Sequence, residues 1–464
     1  MVTELQTGMT TKTTRRDFIR RSGIGVGGLL AGALSPWGQE AAHAESLRRE
    51  ARLADERPNV IMIISDDQGW TDFGFMGHPH IQTPHLDRLA EESLVFPNGY
   101  VPTSLCRASL ATLLTGLYAS QHKICNNDPP EGVDRREMLT FMRNAPALPR
   151  LLAPAGYRSL QTGKFWEGHY RNAGFTDGMT TEGRHGGPGL AIGRETMQPL
   201  DRFIDDVGSD PFFIWYAPFL PHTPHNPPGR LLRKYASNQR SARVAQYWAM
   251  VEWFDETVGE LLDDVEAAGL KDNTIVLFAV DNGWLQADNE LPRTQRPFGA
   301  PGGKLSPYDG GLRTPILVRW PGRIQPGYHR NLVSTIDLAP TILQSIDGVD
   351  VPPAMPGLNL LEVDNESAPV NQRHAVFGQI CTHDAVNLDR VDHSVTHQWV
   401  RKHDWKLIHY VHPERPAELY HLAQDPFERT NLATRYPRKV DELLAELDAW
   451  EYEAADMVAG GANE

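Results

Sequence analysis

Pro58-Asn59-Val60-Ile61-Met62-Ile63-Ile64-Ser65-Asp66-Asp67 sets five consecutive apolar residues between a chain breaker and two carboxylates. An unbroken apolar run of this length, bounded by turn residues, is the pattern of a strand covered on both faces. Phe212-Phe213-Ile214-Trp215-Tyr216-Ala217 and Thr274-Ile275-Val276-Leu277-Phe278-Ala279-Val280 repeat the pattern. Each ends in a polar loop, Pro221-His222-Thr223-Pro224-His225 in one case and Asp281-Asn282-Gly283 in the other. Between them, Ala242 to Ala268 places Val251, Phe254, Val258, Leu261 and Leu262 at helical spacing, so that segment packs on the sheet. Buried strands alternating with helices predict an α/β fold, and open α/β sheets bind ligands beyond the carboxyl ends of their strands. The pairs Asp66/Asp67 and Asp281/Asn282 both fall there, and hard oxygen donors of this kind suit Ca²⁺ or Mg²⁺.

The 464 residues, 40% of them hydrophobic, are enough to bury a large core. A formal charge of −14 with no basic block beyond the N-terminal region argues against a nucleic-acid partner, so any anionic substrate must be recognised locally. Residues 1–44 read as a targeting segment. Arg15-Arg16 precedes a short Gly-rich apolar run from Ile24 to Leu34 and then Ala42-His43-Ala44, which resembles a twin-arginine-type signal peptide. That implies a bacterial protein, folded and modified before it meets the export machinery, and periplasmic or secreted thereafter. The run is too short for a membrane span and no other stretch is long enough, so no membrane association is expected of the mature form. A linker occupies 45–57, a catalytic domain 58–365, and a C-terminal subdomain 366–464. In the last, Trp399–Arg401 and Trp405–Tyr410 read as a hairpin around Lys402-His403-Asp404, and Val440 to Met457 as a terminal helix. Three cysteines, Cys106, Cys125 and Cys381, are too few and too odd for a disulfide framework.

Cys106 sits in Val101 to Gly116, VPTSLCRASLATLLTG, where a loop becomes a helix. Leu110, Leu113, Leu114 and Leu117 follow at roughly helical spacing, which places Cys106 at a helix N-terminus. Free N–H groups and the positive end of the helix dipole suit that position to an anion-handling nucleophile.

The runs HIQTPHLDRLAEESLVFPNGYV (80–101) and SLCRASLATLLTGLYASQH (104–122) are similar to the opening of the sulfatase family, within the alkaline-phosphatase-like superfamily. The resemblance extends through Gly163-Lys164, His222, Asp281-Asn282, Gly303-Lys304, the segment Asp309-Gly310-Gly311-Leu312-Arg313-Thr314-Pro315 and the closing AELYHLAQDPFERTNLA. It implies a large mixed, mostly parallel sheet flanked by helices, with a smaller C-terminal antiparallel sheet plus helix. It also implies a hydrolase of sulfate esters, with a sulfated small molecule or saccharide as substrate. Cys106 would be oxidised to formylglycine by a formylglycine-generating enzyme, and the hydrate would attack sulfur. Asp66, Asp67, Cys106, Asp281 and Asn282 would hold one Ca²⁺. Lys164 and Lys304 would bind sulfate oxygens, and His222 would protonate the departing alkoxide. Asn282 stands where relatives with two zinc ions carry a histidine, which favours a single hard cation.

Two positions depart from the family pattern. Leu110 replaces the arginine four residues after the cysteine, and Arg107, three residues earlier on nearly the same helix face, is expected to stand in for it as a catalytic residue. Trp166 replaces the histidine two residues after Lys164; His169 could fold back in its place, or Trp166 could form an apolar wall or a sugar platform. The alternatives to a saccharide sulfatase are a phosphodiesterase or phosphonate hydrolase on the same scaffold, or a non-catalytic sulfated-glycan-binding relative.

Overall fold

The computed structural model describes residues 57–237, 241–287 and 300–460. The signal peptide expected at 1–44, and the expected linker apart from Arg57, lie outside the described residues.

The chain runs β1 (Asn59–Ser65), α1 (Pro84–Glu91), β2 (Leu94–Tyr100), α2 (Cys106–Thr115), β3 (Arg158–Gly163), β4 (Asp177–Gly178), β5 (Phe212–Ala217), α3 (Ala242–Ala267), β6 (Thr274–Val280), β7 (Arg313–Arg319), β8 (Gly327–Tyr328), β9 (Val333–Ser334) and α4 (Leu338–Gln344). It continues through β10 (Ala375–Cys381), β11 (Val395–Lys402), β12 (Trp405–Tyr410) and β13 (Arg415–His421) to α5 (Pro437–Gly460), with further helices between these elements. The large sheet has the order β4-β3-β5-β1-β6-β7-β2-β8, with β9 beside β2. Only the two pairings made by β7 are antiparallel, so the sheet is mixed and mostly parallel, as expected.

The apolar runs are continuous because both faces of the sheet are covered. In β1, Val60, Met62 and Ile64 enter one core with α2 and α4, while Ile61 and Ile63 enter the other with α1 and α3. All ten residues of α2 are buried, including the charged Arg107. At the centre of the sheet, Ser65 pairs with Val280 and Gly163 with Ala217. Those registers bring the loops after β1, β3, β5 and β6 to one edge.

Strands β10 to β13 form a separate antiparallel meander, with His403-Asp404 as the two-residue turn of the anticipated hairpin. One face receives Leu443, Leu447 and Trp450 of α5. The other seats on the large domain, where the Pro102 carbonyl accepts the Gln379 N–H at 3.0 Å and the Trp399 indole N–H at 3.1 Å. Gly378 is required at this seat, since a Cβ there would lie 1.9 Å from the Pro102 oxygen. A fully buried ion cluster closes the joint, with Lys406 Nζ 2.8 Å from both Asp309 Oδ1 and Glu428 Oε1. Cys125 and Cys381 are joined by a disulfide spanning 256 residues, a pairing the cysteine count did not suggest. The two partners are brought together only when β10 seats.

Removing Lys406 takes the cation from buried Glu428 and leaves Asp309 the more distant Arg313, at 3.9 Å. Lys406→Met should therefore lower unfolding stability by about 3–5 kcal/mol, measured by urea denaturation.

Candidate functional site

Four neighbouring strands deliver the site. Asp66 and Asp67 follow β1, Lys164 follows β3, the loop carrying His222 follows β5, and Asp281 and Asn282 follow β6. Backbone bonds fix the strand ends against one another: the Asp281 N–H donates to Ser65 O at 2.9 Å, Asp66 N–H to Leu220 O at 3.0 Å, and Lys164 N–H to Ala217 O at 2.6 Å. Asp67 adopts a positive φ of 60°, an uncommon conformation for a residue with a Cβ, and its N–H donates to Asp281 Oδ1 at 3.0 Å.

Asp66, Asp67, Asp281 and Cys106 are all buried and can each bring a ligand atom within 4.8 Å of the others. Lys164 Nζ donates to Asp66 and, at 3.1 Å, to Asp281 Oδ2. Lys304 Nζ reaches both oxygens of Asp67, at 2.6 and 2.9 Å, and Asn282 Nδ2 donates to Asp67 Oδ1 at 2.7 Å. Burial disfavours every charge here, yet the lysines stay cationic: Asp281 and Asp66 raise Lys164 well above its ordinary value, overcoming desolvation. Burial likewise opposes ionisation of Asp67, but Lys304, His222 and Lys164 together hold its carboxyl well below the usual range. Asp66, by contrast, is pushed up, chiefly by burial and by its carboxylate neighbours Asp281 and Asp67.

Three carboxylates thus face two ammonium groups. Asp66 Oδ2 and Asn282 Oδ1, both of this cluster, are buried acceptors without a hydrogen-bond partner. An unsatisfied buried acceptor costs roughly 1–3 kcal/mol, and a hard cation would satisfy both. The donors fit a single Ca²⁺ or Mg²⁺, and among the described residues no histidine belongs to this cluster, unlike a zinc pair.

Cys106 begins α2, as expected. Burial pushes its thiol up to about 11 despite Lys164 and Lys304, so it remains protonated as a plain cysteine in this arrangement. The N-cap residue Leu105 offers no acceptor for the helix end; Asn127 Oδ1 takes the Arg107 N–H at 3.0 Å instead. His222 stands at the mouth, with Nδ1 2.7 Å from Thr223 O and Nε2 3.4 Å from Asp67 Oδ2.

Arg107 is placed otherwise than the sequence suggested. Its guanidinium makes a bidentate pair with Glu167, at 2.8 and 2.9 Å, and donates to the carbonyls of Met138 and Asn126. None of these partners belongs to the carboxylate–lysine cluster. Arg107 instead ties the start of α2 to the loop that carries Lys164, a positioning contact. Leu110 simply joins the apolar core.

Trp166 is buried and offers no sugar platform, since the guanidinium groups of Arg184 and Arg135 lie 4.7 and 5.2 Å from its ring centre. His169 does not fold back: its Nδ1 accepts the Arg171 N–H and its ring packs on Tyr170. The imidazole beside Trp166 is that of His185, with ring centres 4.4 Å apart. No spacing rule pointed to it, because Glu182-Gly183-Arg184-His185-Gly186-Gly187 reads only as a Gly-rich loop.

Residues 58–349 match the family described as Sulfatase, and residues 304–451 match the family described as N-sulphoglucosamine sulphohydrolase, C-terminal. Human N-acetylgalactosamine-6-sulfatase is 30% identical over 363 residues, an alignment covering 66% of this chain and 66% of that protein. The ulvan-active sulfatase of Formosa agariphila is 25% identical over 436 residues, covering 85% and 80%. The phosphonate monoester hydrolase of Agrobacterium radiobacter shares the fold, with a TM-score of 0.68 at 19% identity over 86% of this chain and 96% of that one.

If Arg107 acts through Glu167, then Arg107→Ala leaves a buried carboxylate unpaired and should cost about 3–5 kcal/mol of stability. Urea unfolding reads this loss, and Arg107→Lys, which keeps the charge but not the planar fork, should recover part of it.

Proposed function

Because the chain belongs to the sulfatase family, we propose that it is an exported sulfuric ester hydrolase acting on a sulfated saccharide. The observation that carries this reading is the buried cluster of Asp66, Asp67, Asp281 and residue 106 flanked by Lys164 and Lys304. A saccharide substrate is supported by the relatives, two of which are named for sugar substrates, N-acetylgalactosamine and ulvan. Export is supported by the twin arginines and by the Cys125–Cys381 disulfide, a bond that persists in oxidising compartments. Among the described residues no helix is long and apolar enough to cross a membrane.

Asp66, Asp67, Asp281 and Asn282 would hold one calcium ion, which when bound offsets charge on sulfate oxygens; formylglycine at 106, made by its generating enzyme, would supply the attacking hydroxyl. The remaining work falls to side chains of this chain. Lys164 and Lys304 sit on either side of the carboxylates and present fixed positive charge where the sulfate charge would lie. Both are buried, so each acts at low local dielectric and needs little reorganisation. The Thr223 carbonyl accepts the His222 Nδ1–H and turns Nε2 inward; burial lowers the imidazole well below its ordinary value, so Nε2 would first take up a proton and then hand it to the departing alkoxide. Arg107, through Glu167, keeps residue 106 in register with Lys164.

The phosphonate hydrolase neighbour shows that this fold also hosts phosphorus chemistry, so matched substrates decide. A sulfate ester should be turned over with a higher kcat/KM than its phosphate counterpart; the reverse order would assign the chain to phosphoryl transfer. Mass spectrometry of the peptide containing residue 106, from an active preparation, should show the aldehyde or its hydrate. Unmodified cysteine throughout such a preparation would exclude the formylglycine mechanism, and an unconverted protein that turns over no ester yet binds a sulfated glycan would identify a glycan-binding relative.

A further inference from the structure

The sulfate pocket lacks an imidazole at position 166, and the loop after β4 brings one back from elsewhere in the chain. The His185 carbonyl accepts the Phe165 N–H at 2.8 Å, directly beside Lys164. Gly186 has a φ of +142°, and a Cβ there would lie 2.5 Å from the Gly163 oxygen, so the loop is docked on both residues flanking Lys164. The His185 ring meets Trp166 edge-on and lies 5.5 Å from Phe219 and 6.0 Å from His222, half-buried at the mouth.

Arg184 determines which ring nitrogen carries the proton. Its Nη1 donates to His185 Nε2 at 2.8 Å, while Nε and Nη2 hold Asp128. A guanidinium cannot accept a hydrogen bond, so Nε2 is the acceptor and the proton resides on Nδ1. Burial, together with Lys164, Arg184, Lys304 and Arg135, lowers the imidazole to about 3, leaving it neutral at physiological pH. His222 is a second titratable ring facing it, and the His185 ring also meets Trp166 and Phe219.

Resting on the sulfatase reading above, we propose that His185 is the second imidazole of the sulfate pocket, a neutral Nδ1–H donor to the bound sulfate ester whose tautomer is fixed by Arg184. In this role it takes the place of the histidine absent at Trp166, and it differs from an acid–base residue because it neither gains nor loses a proton during turnover.

The test compares His185→Leu, His185→Gln and His169→Gln in the metal-loaded, converted enzyme. Two readouts are used: kcat/KM with a sulfate ester across pH, and calorimetric affinity for inorganic sulfate. His185→Leu should lose roughly 10²-fold in kcat/KM and about tenfold in sulfate affinity, as expected for one donor to a developing anion. His185→Gln, which keeps a neutral N–H donor, should recover roughly tenfold of the lost rate and retain both limbs of the pH profile. His169→Gln should match wild type. Wild-type turnover and sulfate affinity in a folded His185→Leu would overturn the proposal. So would a His185→Gln variant as slow as the Leu variant with one pH limb gone, since that pattern belongs to a proton-transfer group. If wild type hydrolyses no sulfate ester, the family-based reading fails separately, and equal sulfate affinity in wild type and His185→Leu would then refute this inference on its own.

Discussion

Three carboxylates share one buried corner with two ammonium groups, and the rest of the molecule is arranged to keep them there. Asp66, Asp67 and Asp281 would repel one another apart in water or protonate in a dry interior. Held on adjacent parallel strands whose register is fixed over seven paired residues, they cannot separate. Lys164 and Lys304 relieve part of the repulsion, and the orphaned oxygens of Asp66 and Asn282 mark where a hard cation would relieve more. The doubly covered sheet is therefore the rigid frame that makes a high charge density tolerable.

The end of α2 is anchored by a second set of polar contacts that use no metal. Asn127 caps it, Arg107 clamps it to Glu167, and the disulfide between Cys125 and Cys381 holds the Asn126–Asn127 loop against β10. The Asn127 N–H donates to the His383 carbonyl, and Asn126 Nδ2 donates to the Thr382 carbonyl, so the small sheet reaches the site through two successive asparagines. Positioning of residue 106 is thus shared between parts of the chain far apart in sequence.

The main strands and the helices on them were legible because their signals are local: continuous apolar runs for the strands and apolar residues at helical spacing for the helices. The acidic pairs were legible because they terminate those strands. The contacts that arise only on folding were not. Arg107 was correctly placed on the helix but not matched to its partner, since nothing in the sequence ties it to Glu167 sixty residues later. Sequence proximity suggests His169 for the place of the missing imidazole, whereas the sheet sets β4 beside β3 and so brings the His185 ring against Trp166. The Cys125–Cys381 bond is a consequence of sheet docking and has no signature in spacing.

The complete burial of α2 also sets an order of events in the life of the chain. Residue 106 is only 1% exposed, and the loops that cover it are latched by segments reaching Thr382 and His383. A modifying enzyme that had to grasp this cysteine would therefore have to meet it while the polypeptide is still open, before the C-terminal strands arrive. Synthesis from the N-terminus makes residue 106 available during an interval that closes when the last quarter of the chain is in place. On the formylglycine reading proposed above, maturation and folding would compete for the same side chain, and the length of chain between them would act as the clock.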